Sequence, residues 1–174
     1  MRPRSVDNFL KQARVPYTTF SHPEAFTAQA EAAVSHVPGR SWVKIVVCFA
    51  DDEPIQAVLP APLMVDLARL QALTGASTLR LATEQEFRTL YSDCEPGAMP
   101  PFGTLYLQRV FVEQSLVGEA EMVFNAGTHT DAIRMHYWDF VELARPIVGV
   151  FGCPPSAKTA SAPMPKSPGP PEYV

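Results

Sequence analysis

The feature that most constrains the fold is an apolar run, WVKIVVCFA, at positions 42–50. Successive side chains of an extended segment point to opposite faces of a sheet, and both faces of this run are largely apolar. A strand with two apolar faces has to be covered on both sides, so the run predicts a central strand. The polar turn DDEP follows, and IQAVLP at 55–60 is the expected hairpin partner.

The remaining elements are predicted from apolar spacing and from capping residues. The predicted helices are 5–15 with Ser5 as N-cap, 27–36 with Thr27 as N-cap, 61–75 with Pro62 in the first turn and Gly75 at the C-terminal end, 83–91 with the capping box Thr83 and Glu86, and 137–144 before Pro146. Further strands are predicted at 16–22, 78–82, 104–114, 121–127 and 131–135.

The order of these elements predicts an α/β fold of the α+β type, because strands and helices do not alternate strictly. We expect a mixed, largely antiparallel sheet of six or more strands surrounded by helices. Residues 1–152 are predicted to form one domain. From 153 to 174 the chain holds seven of its eighteen prolines and few large apolar residues, which is typical of a tail or extended arm without its own core.

Composition narrows the function classes. The three cysteines, Cys48, Cys94 and Cys153, are widely spaced and form no C-x-x-C pair, so they suit a reducing compartment and indicate no metal site. The chain has no apolar run long enough to span a bilayer and no secretory signal, so we expect a cytoplasmic protein without a membrane partner. The net charge of −4 argues against a broad nucleic-acid surface but leaves room for contact with one end of an RNA.

The stretch CEPGAMPPFG at 94–103 holds three prolines and two glycines, more than a plain connector needs. Its prolines have no N–H, so the donors left at the bend are the amides of Gly97, Ala98 and Met99. Gly97 can adopt a positive φ and allows close approach to the backbone. A stiff loop with few amides is what binding of a carbonyl or an oxyanion requires. A rigid loop that only caps the sheet is the alternative.

Lys44 is the one charged residue within the apolar run. A lysine in that position either extends its ammonium to the edge of the sheet or meets an anion. If it meets an anion, the ammonium is placed to bind a phosphate or a developing negative charge.

The segment FNAGTHTDAIRM follows a predicted strand and places Asn125, Gly127, Thr128 and His129 around a turn. These residues form either the second wall of a polar pocket or an ordinary turn whose side chains bond their own backbone. His129 and His136 lack the spacing of a metal site. His22, in FSHPEAFT, is likewise either a loop residue or a pocket wall, and Cys94 has no Cys-His motif that would make it a nucleophile.

Taken in order, these segments resemble the YbaK/ProX family of aminoacyl-tRNA editing proteins, which includes the insertion domain of bacterial prolyl-tRNA synthetases. The resemblance rests on HPEAFTAQAEA before the first long strand, on the lysine within WVKIVVCFA, on a G-x-x-x-P loop that is GAMPP at 97–101 followed by Phe102-Gly103, and on the glycine-containing turn after a strand. It covers residues from about 5 to 150.

The resemblance implies a barrel-like mixed-sheet core and a free-standing hydrolase, an aminoacyl-tRNA deacylase acting in trans on mischarged tRNA. It implies no metal and no cofactor, with the attacking water activated largely by the ribose hydroxyl of the substrate and by backbone groups. In this family reading Lys44 holds the terminal nucleotide, and the amides of Gly97 and Ala98 orient the ester carbonyl. The residues expected to contact the substrate are His22, Thr27, Met99, Pro101, Phe102, Asn125, Gly127, Thr128 and His129.

Two other functions remain open on the sequence. One is a non-catalytic module of the same fold that binds tRNA or an aminoacyl-tRNA synthetase. The other is a domain that binds a small acyl metabolite without RNA, for which the acidic net charge gives some support. The expected partners are the acceptor 3′ end of a mischarged tRNA and a synthetase, with a homodimer as a further option.

Overall fold

The computed structural model of the protein describes residues 4–155. The helices are α1 Arg4–Ala13, α2 Ala28–Val34, α3 Leu67–Thr74, α4 Glu84–Leu90 and α5 Tyr137–Ala144. The strands are β1 Tyr17–Ser21, β2 Val43–Ala50, β3 Glu53–Pro60, β4 Met64–Val65, β5 Leu79–Leu81, β6 Arg109–Glu113, β7 Glu121–Asn125, β8 Asp131–His136, β9 Ile147–Gly149 and β10 Gly152–Cys153. Within that range, none of the helices combines the length and the apolar character needed to cross a membrane.

The largest sheet has five strands in the order β5-β2-β3-β6-β9. Strand β2 pairs antiparallel with both β3 and β5, so the predicted central strand and its hairpin partner are confirmed. Strands β3, β6 and β9 pair in parallel, which makes the sheet mixed. Lys44 lies opposite Leu59 in the β2–β3 register.

A second sheet, β1-β8-β7, is antiparallel throughout, and a short pair joins β10 to β4. The bridge between Trp42 and Val123 links the three-stranded sheet to the chain just before β2. The fold is therefore mixed α+β with mainly antiparallel pairing. The strands of residues 4–155 form three sheets and no closed barrel, so the expected single barrel-like sheet is not confirmed.

Both faces of β2 are buried, as its two apolar faces predict. Val43, Ile45 and Val47 lie in the larger core, which also holds side chains of β7, β8 and α5. Val46 and Cys48 lie in a second core on the other face, under α3 and Phe151. The two cores fix the position of β2 and therefore the position of Lys44 within the fold.

The predicted helix at 61–75 begins later than expected. Asp66 is its N-cap, and the carboxylate of Asp66 accepts a hydrogen bond from the amide of Arg69 at 3.1 Å. Residues 64–65 instead pair with β10, so placing Pro62 in the first turn of the helix was wrong. Gly75 ends the helix with a φ of 73°, as predicted.

The predicted strand at 104–114 was also too long. A 3-10 turn covers Gly103–Tyr106, and its carbonyl at Gly103 accepts the amide of Gln108 at 2.8 Å. Leu107 then has a φ of 56°, which reverses the chain before β6 starts at Arg109. At the N-terminus, α1 already includes Arg4, so Ser5 lies within the helix and is not its cap.

The C-terminal segment stays attached to the domain at least as far as Cys153, which pairs with Met64. The buried carboxylate of Glu113 accepts the amides of Phe151 and Gly152 at 2.7 and 2.6 Å. Most of the predicted Pro-rich tail, residues 156–174, lies outside the described residues, and the tail therefore stays a prediction.

Candidate functional site

A small pocket opens where the start of α2, strand β2, the loop at 94–103 and the end of β7 meet. The space between its lining atoms is about 280 Å³, including the open side, while the free interior of about 10 Å³ holds roughly one water molecule. Its lining residues are Phe26, Ala28, Val43, Lys44, Ile45, Gly97, Met99 and Asn125. The pocket thus brings together four residues that the sequence analysis had singled out from three separate segments.

Lys44 carries the only formal charge among those lining residues. Burial lowers the pKa of its ammonium, and the neighbouring Cys153 acts in the opposite direction. No carboxylate within the described part of the chain forms an ion pair with it. A half-buried cation without a protein counter-ion is suited to an anionic ligand.

The loop at 94–103 is held by its carbonyl groups. The carbonyl oxygens of three loop residues each accept a hydrogen bond from a different part of the fold. The pairs are Pro96 with His129 Nε2 at 2.7 Å, Ala98 with the amide of Gly127 at 2.8 Å, and Pro100 with Gln56 Nε2 at 3.3 Å.

Because the C=O and N–H of one trans peptide point in opposite directions, these carbonyl contacts also orient two amides. The amide of Gly97 points away from His129, and the amide of Met99 points away from Gly127. Both residues line the pocket, and across residues 4–155 neither amide donates a hydrogen bond. Gly97 has a φ of 83°, which confirms the positive φ expected of it.

Ala98 does not share this property. Its amide donates to the carbonyl of Glu95 at 3.0 Å, and the residue is fully buried. The expectation that the Ala98 amide faces a substrate was therefore wrong, since the turn of the loop already uses that donor. Met99 supplies the second available amide instead.

Behind the loop, His129 joins α2 to the bend through a buried polar cluster. Its Nδ1 lies 2.8 Å from a carboxylate oxygen of Glu31, and its backbone amide donates to the Glu95 carboxylate at 2.8 Å. Burial acts to lower the pKa of His129, but the hydrogen bonds to Glu31 and to the Pro96 carbonyl outweigh burial and raise it. Both ring nitrogens face acceptors, so His129 is held as the imidazolium and positions the loop without lining the pocket.

Besides His129, six of the predicted contact residues lie outside the pocket lining. Phe102 packs in the core against the rings of Phe9, Phe124 and Phe140, and Pro101 is buried beside it. Both side chains are apolar and are buried within the fold, so neither extends into the pocket. Neither residue lines the pocket in this structure, and their contact with a substrate stays a prediction.

The other four have local roles. Thr27 caps α2 by accepting the amide of Ala30 at 3.1 Å, and Gly127 holds the Ala98 carbonyl. The hydroxyl oxygen of Thr128 accepts the backbone amide of Asp131 at 3.1 Å, as in the ordinary-turn alternative. His22 is buried, with Nδ1 2.9 Å from the Pro23 carbonyl and its ring 5.4 Å edge-on from Trp42.

Sequence reasoning missed Glu31 and Phe26. Glu31 is 1% exposed and lies on the same face of α2 as Ala28 and Ala32, so an acidic residue at an apolar helical position was the available signal. Phe26 is 47% exposed at the pocket, and its ring lies 5.5 Å from that of His129. No sequence pattern distinguished it from a loop residue.

Cys94 is no nucleophile in this environment. Burial raises the pKa of its thiol to about 12, and its Sγ lies 3.5 Å from the Tyr106 hydroxyl. The thiol is therefore protonated at neutral pH. Over residues 4–155, no three histidine, cysteine or acidic side chains are grouped to hold a metal ion.

Comparison with known proteins places this geometry in a family. A family model described as the aminoacyl-tRNA editing domain matches residues 22–143, which is well over half of the chain and includes both walls of the pocket. The chain belongs to the aminoacyl-tRNA editing domain family. The predicted resemblance to editing proteins related to the prolyl-tRNA synthetase insertion domain is thereby confirmed.

Relatives of this editing domain include much longer proteins. The proline–tRNA ligase of Nitratidesulfovibrio vulgaris (strain Hildenborough) is 30% identical over 104 residues, covering 60% of this chain and 18% of the ligase. The ligase of Anaeromyxobacter sp. (strain K) is 32% identical over 108 residues, covering 62% of this chain and 18% of the ligase. The chain thus spans about a fifth of the length of these curated relatives.

Solved structures share the fold of the editing domain. The hypothetical protein APE2540 superposes with a TM-score of 0.78 at 17% identity, covering 86% of this chain and 100% of that one. A candidate trans-editing enzyme for prolyl tRNA synthetase superposes with a TM-score of 0.74 at 21% identity, covering 87% of this chain and 98% of that one. At these identities the likeness establishes the fold alone.

Proposed function

We propose that this editing domain is an aminoacyl-tRNA deacylase that hydrolyses the ester of mischarged tRNA in trans. The observation that carries the proposal is one pocket lined by Lys44, whose ammonium has no ion-pair partner among residues 4–155, and by Gly97 and Met99, whose amides donate no hydrogen bond there. Such donors match the oxygen atoms of an aminoacyl ester and of the nucleotide that carries it. Membership of the editing family supports this choice of substrate class.

The chemistry needs little from side chains, because an aminoacyl ester is already activated. Water attacks the carbonyl carbon, a tetrahedral oxyanion forms, the bond to the ribose oxygen breaks, and the proton lost by water ends on that ribose oxygen. The amides of Gly97 and Met99 stabilise the oxyanion, and Lys44 holds the phosphate or ribose of the terminal nucleotide. The pocket lining holds no carboxylate or imidazole, which suits water activation by the substrate's own ribose hydroxyl.

A deacylation screen with the purified chain tests the proposal. The protein is added to a panel of tRNAs carrying matched and mismatched amino acids, and loss of the aminoacyl group is followed against the spontaneous rate. We expect acceleration for at least one mismatched pair and none for the matched pairs. Absence of acceleration across the panel would refute hydrolysis.

Gel-shift binding separates the alternatives when hydrolysis is absent. Salt-dependent binding of tRNA without hydrolysis identifies a non-catalytic tRNA-binding module. Binding of a synthetase without tRNA identifies a synthetase-binding module. Failure of both leaves the acyl-metabolite domain, which predicts binding of a small acyl ester alone.

A further inference from the structure

Asn125 at the end of β7 has a fixed side-chain orientation. Its Nδ2 donates to both carboxylate oxygens of Glu31, each at 2.9 Å, and the residue is 6% exposed. Rotating the amide by half a turn would place Oδ1 against the Glu31 carboxylate, where two acceptors repel each other. Glu31 therefore fixes which end of the amide faces away from α2.

The oxygen at that other end has no partner. Asn125 Oδ1 is buried, and no donor among residues 4–155 reaches it. A buried acceptor without a donor is unfavourable, so such a group in a native fold calls for a ligand or water. Asn125 lines the same pocket as Lys44, Gly97 and Met99, and the amides of Gly97 and Met99 donate no hydrogen bond within residues 4–155. The pocket therefore offers several donors and one side-chain acceptor.

We propose that Asn125 Oδ1 binds the free α-amino group of the aminoacyl ester and makes the site selective for esters whose amino group is unmodified. This inference rests on the proposed deacylase function. In an aminoacyl ester the α-amino group is the donor nearest to the carbonyl, and it is separated from the carbonyl carbon by a single carbon atom. A pocket that binds the carbonyl through backbone amides has to place that donor close by.

The surroundings of Asn125 strengthen its oxygen as an acceptor. Because Nδ2 donates to the carboxylate of Glu31, the amide is polarised and negative charge accumulates on Oδ1. The negative charge of Glu31 neutralises the positive charge of His129. This pair therefore has no net positive charge that would repel an incoming ammonium group. An N-formyl or peptidyl group removes the positive charge, leaves a single N–H and adds bulk in a pocket whose free interior is about 10 Å³.

The decisive experiment varies the ligand and the residue together. The probes are adenosine analogues that carry an alanyl, N-acetylalanyl or propionyl group through a non-hydrolysable 3′-amide, and alanyl is chosen because the free interior is small. Binding is measured by calorimetry. We expect the wild-type protein to bind the alanyl analogue about tenfold more tightly than the propionyl analogue, the effect of roughly one hydrogen bond.

Substitution of Asn125 should remove that discrimination. In Asn125→Ala the ratio should fall to about twofold or less, whereas Asn125→Ser, whose hydroxyl can donate to Glu31 and still offer an oxygen, should keep part of it. The control Thr18→Ala changes an exposed polar residue of the same three-stranded sheet and should keep the full ratio. If Asn125→Ala does not fold, the wild-type comparison of alanyl with propionyl still decides.

Failure of this inference differs from failure of the proposed function. Equal wild-type affinity for the alanyl and propionyl analogues, or binding of neither, overturns the role of Asn125. The corresponding tRNA esters, tested for hydrolysis, report on the deacylase separately. Hydrolysis of alanyl and propionyl esters at equal rates supports the deacylase function and excludes the proposed role of Asn125. Preferential binding of the alanyl analogue without hydrolysis supports the role of Asn125 and excludes the deacylase function.

Discussion

Among single residues, Lys44 tests the contribution of charge to the reaction, because it is the one charged residue of the pocket lining. We predict that Lys44→Ala lowers deacylation at least about tenfold, a loss of ~1.4 kcal/mol of transition-state binding. The melting temperature should change by less than about 3 °C, since burial of an unpaired ammonium contributes little stability. The rate is measured on the best substrate of the tRNA panel.

Lys11→Ala is the matched control for Lys44. Lys11 is exposed on α1, where it pairs with Asp7 at 2.7 Å, and its removal should leave hydrolysis unchanged. Wild-type activity in Lys44→Ala would exclude this lysine from the reaction.

Substitution of Gly97 tests the contribution of the backbone conformation of the loop. Gly97→Ala adds a Cβ at a φ of 83°, and Gly75→Ala does the same at a φ of 73° beyond the end of α3. Each should cost about 1 kcal/mol of unfolding free energy by denaturant titration, yet only Gly97→Ala should slow hydrolysis. Equal hydrolysis by both variants would show that the loop is a structural cap.

Gly97→Pro goes further because proline deletes the amide donor and also cannot adopt the φ of 83°. Loss of an oxyanion-type donor is worth ~3 kcal/mol, so a folded Gly97→Pro protein should hydrolyse roughly a hundredfold more slowly than the wild type. Circular dichroism and thermal melts establish that the fold is intact before rates are compared. A folded Gly97→Pro protein with the wild-type rate would remove this amide from the mechanism.

His129 links protonation to stability. Its pKa is raised in the folded protein, so its contribution to stability is present below the ordinary histidine value of ~6.5 and is lost as the pH rises through the raised value. The difference in melting temperature between the wild type and His129→Gln should therefore be largest at about pH 5 and should decrease toward about pH 9. A pH-independent difference for His129→Gln would contradict the imidazolium assignment.

At the scale of elements, the loop at 94–103 acts as a unit because other elements hold it at several points. Its bend is tied to β7, β8 and α2 through Gly127 and His129, and its far end is tied to β3 through Gln56. Its last residue, Gly103, starts the 3-10 turn that leads into β6. The prolines restrict the chain locally, and these contacts select one of the conformations that the prolines allow.

Gly103 tests the joint between this loop and β6. A Cβ at Gly103 would overlap the backbone carbonyl of Gln108 and would lie 2.7 Å from Cγ2 of Val110. Since backbone cannot move aside easily, Gly103→Ala should destabilise the protein by about 2 kcal/mol or more. Gly118→Ala, where no atom lies within 4 Å of the added Cβ, should change stability by less than about 0.5 kcal/mol. Equal stability of the two variants in denaturant titration would contradict this packing.

At the scale of the whole molecule, sheet order decides which distant segments meet. The five-stranded and three-stranded sheets meet through the bridge between Trp42 and Val123, next to the ends of β2 and β7 that carry Lys44 and Asn125. The pocket is therefore a product of how the two sheets pack. A change that separates the sheets should abolish the pocket even if each sheet persists.

The C-terminal segment gives a prediction at this scale. Deleting residues 156–174 should leave melting temperature and hydrolysis unchanged, because that segment is Pro-rich and has no apolar periodicity. Deleting from residue 150 onward should be strongly destabilising, because Phe151 is fully buried and Glu113 would lose the amides it accepts. Size-exclusion chromatography of both proteins tests the homodimer, and loss of a dimer in the shorter deletion would show that the segment docks on a second copy.

Much of the local structure was predictable because its causes lie within a few residues. The two apolar faces of 42–50 and the polar turn after them predicted a central strand and its hairpin, and Thr27 and the Thr83–Glu86 pair are caps as the sequence indicated. The helix predicted from local spacing was wrong over 61–66, where Met64 and Val65 pair with residues almost ninety positions away. Helical spacing carries no information about such a partner.

For the site, the sequence by itself determined the chemical groups on offer: a lysine in an apolar strand, a stiff loop with few amides, and polar residues at a turn. Only the tertiary structure decided which of them meet. Hydrogen bonds from residues 29 to 44 positions distant bind the loop carbonyls and leave the amides of Gly97 and Met99 for the pocket. The amide of Ala98 is used within the turn, and Phe102 is buried in the core. Burial and hydrogen-bond partners arise when distant segments pack, so no local pattern encodes them.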